Sequence, residues 1–318
     1  MRTLILLLMM SGATLSFTQE NTQSAADYLT LINGLQTQIS YTNMQYFRCA
    51  VHCQNAQDVE NTRLELLQQV EQALGTVQRM PAPNEDDFIK NETVTFLQTL
   101  QSNCNGEYLE INNNFISPDD PAGAMEVYYD LVEAAELKLD RANDRFHRAF
   151  KSFAARNNIN IIEQSEDEES EVALANRINA YYREVNKLDF EVQKELTRVV
   201  DALGTESYRK LEAARSNLER AIKRTKYGLE EMSDFDGDDG LRQAALRFAI
   251  IAEGLTDTHL PAIIAHLKSP SNETVDGYNT AVEYFNTEMM PVSSLVHTAK
   301  ENFLKDHVPK PPKGQRRI

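Results

Sequence analysis

The chain has 318 residues, a formal net charge of -16 at pH 7, 42% hydrophobic residues and 25% charged residues. This balance is typical of a folded soluble protein, and the length is enough for two ordinary domains. Because so acidic a surface repels other polyanions, nucleic acid and anionic lipid are poor partners. The lack of tryptophan and the scarcity of glycine favour helices over β-sandwiches.

The first 18 residues have the layout of a secretory signal peptide. Arg2 supplies a positive start, residues 3–10 form a short apolar run, and "SGATLSFT" offers small residues for cleavage after Thr18. The apolar run is too short to anchor a protein in a bilayer, and no cysteine follows it to carry a lipid. We therefore expect an exported protein, periplasmic, on the cell surface or secreted, with no lipid anchor and no membrane span after cleavage.

Apolar residues recur through residues 19–157 with the 3.6-residue period of α-helices. The pattern predicts four long helices, over residues 24–54, 57–80, 85–115 and 122–157. An acidic stretch at 158–171, containing "SEDEESE", then interrupts the period and is typical of a solvated linker. Because short connections favour antiparallel neighbours, the sequence predicts an antiparallel four-helix bundle before this linker.

The same plan returns between residues 172 and 307. Positions in the two halves match in the same order, for example Ile32 with Val185 at an offset of 153 and Val70 with Leu218 at an offset of 148. Amphipathic helices share apolar positions by chance, but the common order of four helices favours an internal duplication. The predicted fold is therefore all-α, with two tandem, internally duplicated antiparallel four-helix bundles. The basic, proline-rich end at 308–318 is expected to be a disordered tail.

Three cysteines invite two interpretations. Cys49 and Cys53 lie near the end of the first predicted helix, and Cys104 lies in the later half of the third. An antiparallel bundle brings these ends to one level, so we expect a disulfide from Cys104 to Cys53 or to Cys49 in an oxidising compartment. It would close a loop of about 50 residues and contribute roughly 3–4 kcal/mol. Alternatively Cys49, His52 and Cys53 share one helical face and could bind zinc with Cys104.

The stretch "SDFDGDDG" at 233–240 resembles the start of a calcium-binding loop. Asp234, Asp236 and Asp238 fit ligand positions one, three and five. Position six needs glycine and is Asp239, and position twelve needs a bidentate glutamate and is Ala245. Weak surface calcium binding through the three aspartates is one hypothesis, but a solvated, capped turn before a helix is favoured.

Motifs for catalysis are missing from the sequence. It contains no Glu-x-x-His pair of a di-iron bundle, no Gly-x-Ser-x-Gly, no His-Glu-x-x-His and no glycine-rich phosphate loop. The sequence thus indicates no catalytic residues and no cofactor, and its candidate metal ligands are the two sets already named, Asp234, Asp236 and Asp238, and Cys49, His52 and Cys53.

With its signal segment, its paired bundles and its Tyr-Tyr…Val helices at Tyr128 and Tyr181, the chain resembles a family of exported all-helical surface and periplasmic proteins of Gram-negative bacteria, described in Leptospira and Bacteroidota. The resemblance is one of layout and implies an envelope location without catalytic residues. Imelysin-like envelope proteins share duplicated helical bundles, but their Gly-x-His-x-x-Glu motif is not reproduced by "GLTDTHL" at 254–260.

We therefore expect an exported, non-enzymatic helical binding or scaffold protein of the cell envelope. Its partner would be another envelope protein docking along a helix face or a small ligand, and not nucleic acid. The alternative is an envelope protein that binds zinc, iron or calcium.

Overall fold

A computed structural model describes residues 14–16, 23–82, 87–107, 121–162 and 171–311 of the chain. Most of the predicted signal peptide, residues 163–170 of the predicted acidic linker and residues 312–318 of the predicted tail lie outside these ranges. The described residues are almost entirely helical, which confirms the predicted all-α class. They form two compact units, and each is described by itself.

The first unit comprises residues 1–117, 127–177 and 308–318. Its helices are α1 (Gln23–His52), α2 (Ala56–Arg79), α3 (Asp87–Ser102) and α4 (Pro121–Arg156), most of which lies in this unit. α3 continues into a π-helical turn, π1 (Asn103–Glu107). Two three-residue strands, β1 (Thr14–Ser16) and β2 (Asn160–Ile162), pair antiparallel with Thr14 opposite Ile162. Because β1 lies before the predicted cleavage after Thr18, a mature chain would lack it.

The core of the first unit is built from one apolar stripe on each helix. Residues three and four positions apart share a helical face, and in α2 this stripe includes Leu66, Val70 and Val77, all buried. Phe146 of α4 is fully buried, and its ring stacks on Phe96 of α3 with centroids 5.5 Å apart. Burial of these stripes holds the helices together, since such helices gain most of their stability from packing.

The second unit comprises residues 118–126 and 178–307. Its helices are α5 (Glu171–Gly204), most of which lies in this unit, α6 (Tyr208–Glu231), α7 (Gly240–Gly254), α8 (Leu260–Lys268), α9 (Asn272–Tyr284) and α10 (Met290–His307). The π-helical turn π2 (Leu255–His259) joins α7 to α8, and π3 (Phe285–Met289) joins α9 to α10. The described part of the unit is therefore four long helical rods, two of them interrupted by a π turn.

One helical stretch in the described residues, Gly240–Lys268, is long and apolar enough to cross a membrane by length and composition. A core helix can meet the same criterion. Its apolar residues pack in the core of the second unit, where Phe248, Leu260 and Ile263 are buried.

A buried ion pair crosses the interior of the second unit. Lys300 of α10 places Nζ 2.5 Å from Oδ2 of Asp189 in α5, and the two side chains are 9% and 0% exposed. Gln193 donates from Nε2 to the same oxygen at 2.6 Å. Removing one partner of a buried pair leaves an uncompensated charge, which costs far more than the intact pair contributes.

We predict that Lys300→Met destabilises the second unit by about 3–5 kcal/mol, because it leaves the Asp189 carboxylate buried without its cation. The double substitution Asp189→Leu/Lys300→Met should recover most of that loss, since no charge is left in the core. Urea unfolding followed by circular dichroism measures the effect. The control is Lys305→Met, whose exposed pair with Glu301 at 2.9 Å should contribute about 0–1 kcal/mol. Equal effects of Lys300→Met and Lys305→Met would contradict the assignment.

Candidate functional site

The aspartate-rich stretch forms a tight hairpin turn between α6 and α7. Phe235 and Asp238 exchange two backbone hydrogen bonds, each 2.9 Å long. The two residues between them, Asp236 and Gly237, have φ angles of 53° and 89°. A two-residue hairpin turn with both central residues in the left-handed region prefers the pair Asp-Gly, since glycine carries no Cβ penalty there.

The carboxylates of this turn accept hydrogen bonds from the protein itself. Oδ1 of Asp234 accepts from the Gly237 backbone N–H at 2.9 Å. Oδ1 of Asp238 accepts from the Gly240 N–H at 2.8 Å, at the first residue of α7. These bonds match the favoured interpretation, a capped turn. The cap differs from the expected one only in that Asp239, at the N-cap position, makes no side-chain cap bond.

His307 closes the site from the last residue of α10. Its Nε2 lies 2.8 Å from Oδ2 of Asp238. The imidazole packs on Phe235 and Phe303, with ring centroids 4.9 and 4.7 Å away, and Tyr181 of α5 contacts both of those phenylalanines. We call Tyr181, Phe235, Asp238, Phe303 and His307 the aspartate-turn cluster. It ties the end of the fourth rod to the turn between the second and third.

The electrostatics of the cluster follow from these contacts. The hydrogen bond from His307 and then the one from the Gly240 N–H hold the pKa of the Asp238 carboxyl below its usual value. Burial raises the pKa of the Tyr181 phenol, the nearby Asp238 adds to the rise, and Arg242 opposes it. Asp238 is therefore kept ionised, as a carboxylate that anchors the imidazole.

Asp238, the partner of His307, was not identified from the sequence. The predicted topology offered a signal, because an antiparallel four-helix bundle would bring the end of its fourth helix to the level of the turn between its second and third. Asp234, Asp236 and Asp238, the predicted calcium ligands, all lie in the turn. Within the described ranges, no three histidine, cysteine, aspartate or glutamate side chains form a group that could hold a metal ion.

The disulfide forms between different cysteines from those predicted. Cys49 and Cys53 are bonded, with Cα atoms 4.7 Å apart, and Cys104 is a buried free thiol. The Cys53 N–H bonds to the Cys49 carbonyl at 2.8 Å, so the two cysteines lie one helical turn apart, within disulfide reach. Cys104 instead packs in the core of the first unit, where burial raises its pKa to about 12. The expected bridge from Cys104 to either Cys53 or Cys49 was therefore wrong.

The predicted zinc ligands Cys49, His52 and Cys53 make other contacts in the structure. The sulfurs of Cys49 and Cys53 bond to each other, so neither is a thiolate in this state. His52 Nε2 lies 2.8 Å from the carbonyl oxygen of Val308 and so ties the end of α1 to the start of the predicted tail. The sequence placed His52 and the cysteines on one helical face, but it could not reveal the distant carbonyl that His52 contacts.

The π turns form a second set of contacts that the sequence did not reveal. A π turn breaks the regular α-helical ladder and is often found at functional sites. In π2, Arg215 of α6 donates from Nε to the Thr256 carbonyl at 2.6 Å. His259 stacks on Tyr284 with centroids 4.0 Å apart, and burial lowers the His259 pKa. Gly254 leaves room for the Tyr284 hydroxyl, which donates to the Ile251 carbonyl at 2.9 Å.

Comparison with protein-family models, with curated proteins and with solved structures finds no match to the chain.

We predict that His307→Ala raises the pKa of Asp238 towards the usual value of 3.8, because the largest cause of its lowering is removed. A depressed carboxyl pKa contributes stability that is present above the unfolded value and is lost as pH falls through the folded value. The wild-type protein should therefore lose this contribution below about pH 3.8, and the variant should have little of it to lose. An NMR pH titration that follows the side-chain carboxyl carbon of Asp238 measures the pKa. His297→Ala, on the exposed face of α10, is the control. An unchanged Asp238 pKa in His307→Ala would disprove the pairing.

Proposed function

We propose that the protein is an exported, non-enzymatic helical binding or scaffold protein of the cell envelope, in the periplasm or at the cell surface. The predicted signal segment motivates export, and the Cys49–Cys53 disulfide supports it, since disulfides persist in oxidising compartments. The layout resemblance to exported surface proteins of Gram-negative bacteria agrees with this location.

One observation carries the proposed scaffold role: the side chains that could have carried chemistry bind the protein's own structure. His307 and Asp238 join a helix end to a turn, and His52 contacts a backbone carbonyl. Arg215 holds a carbonyl in π2, and Lys300 neutralises Asp189 in the core. Each of these contacts stiffens a helical body, which is what a protein that presents fixed helix faces to a partner requires.

We further propose that the two units descend from one duplicated four-helix bundle. α2 and α6 both have 24 residues and begin 152 positions apart. At that offset buried positions coincide, among them Leu66 with Leu218 and Val77 with Leu229. The offset of 148 suggested by sequence for this helix is one helical turn away from this alignment, because apolar stripes match equally well when shifted by a turn.

The π turns support the duplication more specifically than the apolar stripes do. π1 and π2 also begin 152 positions apart, at Asn103 and Leu255. In the first unit Arg63 donates to the Cys104 carbonyl at 2.7 Å, and in the second Arg215 donates to the Thr256 carbonyl at 2.6 Å. Both donor and acceptor are separated by 152 between the units. Amphipathic periodicity alone does not generate an arginine-held π turn twice at one offset.

The alternative function, binding of zinc, iron or calcium, is favoured by a separate feature, the aspartate turn. Asp234 and Asp238 present carboxylates within one short loop, although each already accepts backbone hydrogen bonds. A metal would have to compete with those bonds and with His307.

The test uses protein recovered from fractionated cells of its native host. We predict an envelope or secreted fraction, an N-terminus at Gln19, an oxidised Cys49–Cys53 pair by peptide mapping, and a Cys104 thiol that alkylates only after unfolding. Elemental analysis of the same sample should show less than stoichiometric zinc, iron or calcium. Full-length protein confined to the cytosol would defeat the envelope location. A stoichiometric metal that is lost in Asp234→Asn/Asp238→Asn, and retained in Cys49→Ser/Cys53→Ser, would replace the scaffold role by metal binding at the aspartate turn.

A further inference from the structure

Charge is unevenly distributed in the second unit. Residues 183–226, in α5 and α6, contain eleven lysines and arginines and eight aspartates and glutamates, whereas residues 227–307 contain five basic and fourteen acidic residues. The overall charge of -16 therefore conceals a locally positive part. Exposed charges are screened beyond about 8–10 Å at physiological salt. A ligand bound at this part is therefore attracted by the nearby cations more strongly than it is repelled by distant carboxylates.

Burial sharpens the difference on α5. Its acidic residues include Asp189 and Glu195, whose side chains are only 0% and 9% exposed, although Glu195 pairs with Arg198 at 2.6 Å. Arg183, Lys187 and Arg198 are exposed and lie on one side of the helix, because their spacings of four and eleven residues are about one and three helical turns. The row from Arg183 to Arg198 runs for about 22 Å along the helix axis.

α6 adds a parallel row beside the first. Arg220, Arg224 and Tyr227 are all exposed and recur at i, i+4 and i+7, so they share a face. The two rows are neighbours, because Arg224 lies 3.7 Å from Glu191 of α5. We call Arg183, Lys187, Arg198, Arg220 and Arg224, with Tyr227, the basic face. Glu191, 35% exposed, lies between the rows, Glu195 pairs with Arg198 at 2.6 Å, and exposed Glu184 lies beside Arg183 in sequence. These carboxylates neutralise part of the face, and its five lysine and arginine side chains still outnumber them.

We propose that the basic face binds a linear anionic polysaccharide, with sulfate or carboxylate groups along its length. Guanidinium groups pair with such oxyanions through two parallel hydrogen bonds, and arginine supplies most of the cations here. The Tyr227 ring, 68% exposed, offers an apolar surface against which a sugar ring can stack. The rows are long and narrow, which suits an extended chain better than a flat bilayer.

The choice of a polysaccharide over a nucleic acid depends on the proposed envelope location, where single-stranded nucleic acid is not an expected ligand. The two can still be tested apart, because binding is measured on purified protein and location on cells. A protein of net charge -16 binds polyanions poorly by non-specific attraction, so saturable binding would itself point to a local face.

The experiment measures binding of the purified chain to fluorescein-labelled dextran sulfate by anisotropy, with uncharged dextran as the matched neutral polymer. We expect saturable binding that weakens between 50 and 200 mM NaCl, as counterion release requires, and no binding to dextran. Arg220→Gln/Arg224→Gln should weaken binding roughly thirtyfold, if each exposed contact contributes about 1 kcal/mol. The control Arg247→Gln/Lys305→Gln changes net charge equally on the acidic part and should have less than about a twofold effect. Tyr227→Ala should weaken binding without changing its salt dependence.

Three results would overturn the proposal. One is the lack of saturable binding to dextran sulfate by folded protein at 50 mM NaCl. Another is an equal loss in Arg220→Gln/Arg224→Gln and in the Arg247→Gln/Lys305→Gln control. The third is tighter binding to a single-stranded oligonucleotide or to phosphatidylglycerol vesicles than to dextran sulfate.

Discussion

The structure depends on one constraint: each long helix carries an apolar stripe that must be buried against the stripes of its neighbours. An isolated helix of this length is marginal in water, so packing supplies most of its stability. Leu66 and Val70 in the first unit, and Leu218 and Ile222 in the second, belong to two of these stripes and are at most 1% exposed. Once the stripes are buried, every polar group that accompanies them inside needs a partner.

The polar contacts of the interior are the response to that need. The π turns interrupt the regular helical ladder, and Arg63 and Arg215 supply donors to carbonyls within them. Asp189 is buried with Lys300, and His307 is held between aromatic rings and Asp238. In these contacts, arginine, lysine, histidine and aspartate side chains bind other parts of the protein and hold its helices in place. A partner would therefore bind the exposed surface. In the second unit, basic residues predominate on α5 and α6, and acidic residues predominate in the rest.

Much of the fold could be predicted from sequence because hydrophobic period is a local property. The helices expected at 24–54 and 57–80 end within two residues of α1 and α2. The aspartate turn was recognisable because Asp-Gly has its own backbone preference. The cysteine pairing was not predicted correctly, because the prediction considered which helix ends lie at the same height in a bundle. Cys49 and Cys53 instead bond to each other, since they are only one helical turn apart. The partner of His307 and the carbonyls held by Arg63 and Arg215 depend on tertiary contacts that no single segment encodes.

The central proposal, that one bundle plan is used twice, is tested most directly by removing the two arginines that it makes equivalent, Arg63 and Arg215. Urea unfolding of Arg63→Met and Arg215→Met should show destabilisation of similar size, about 1.5–3 kcal/mol each, because each leaves a carbonyl in a π turn without its charged donor. Arg220→Met, on the exposed side of α6, should change stability by less than about 0.5 kcal/mol. If one arginine proves indispensable and the other has no more effect than Arg220, the two units do not share the plan.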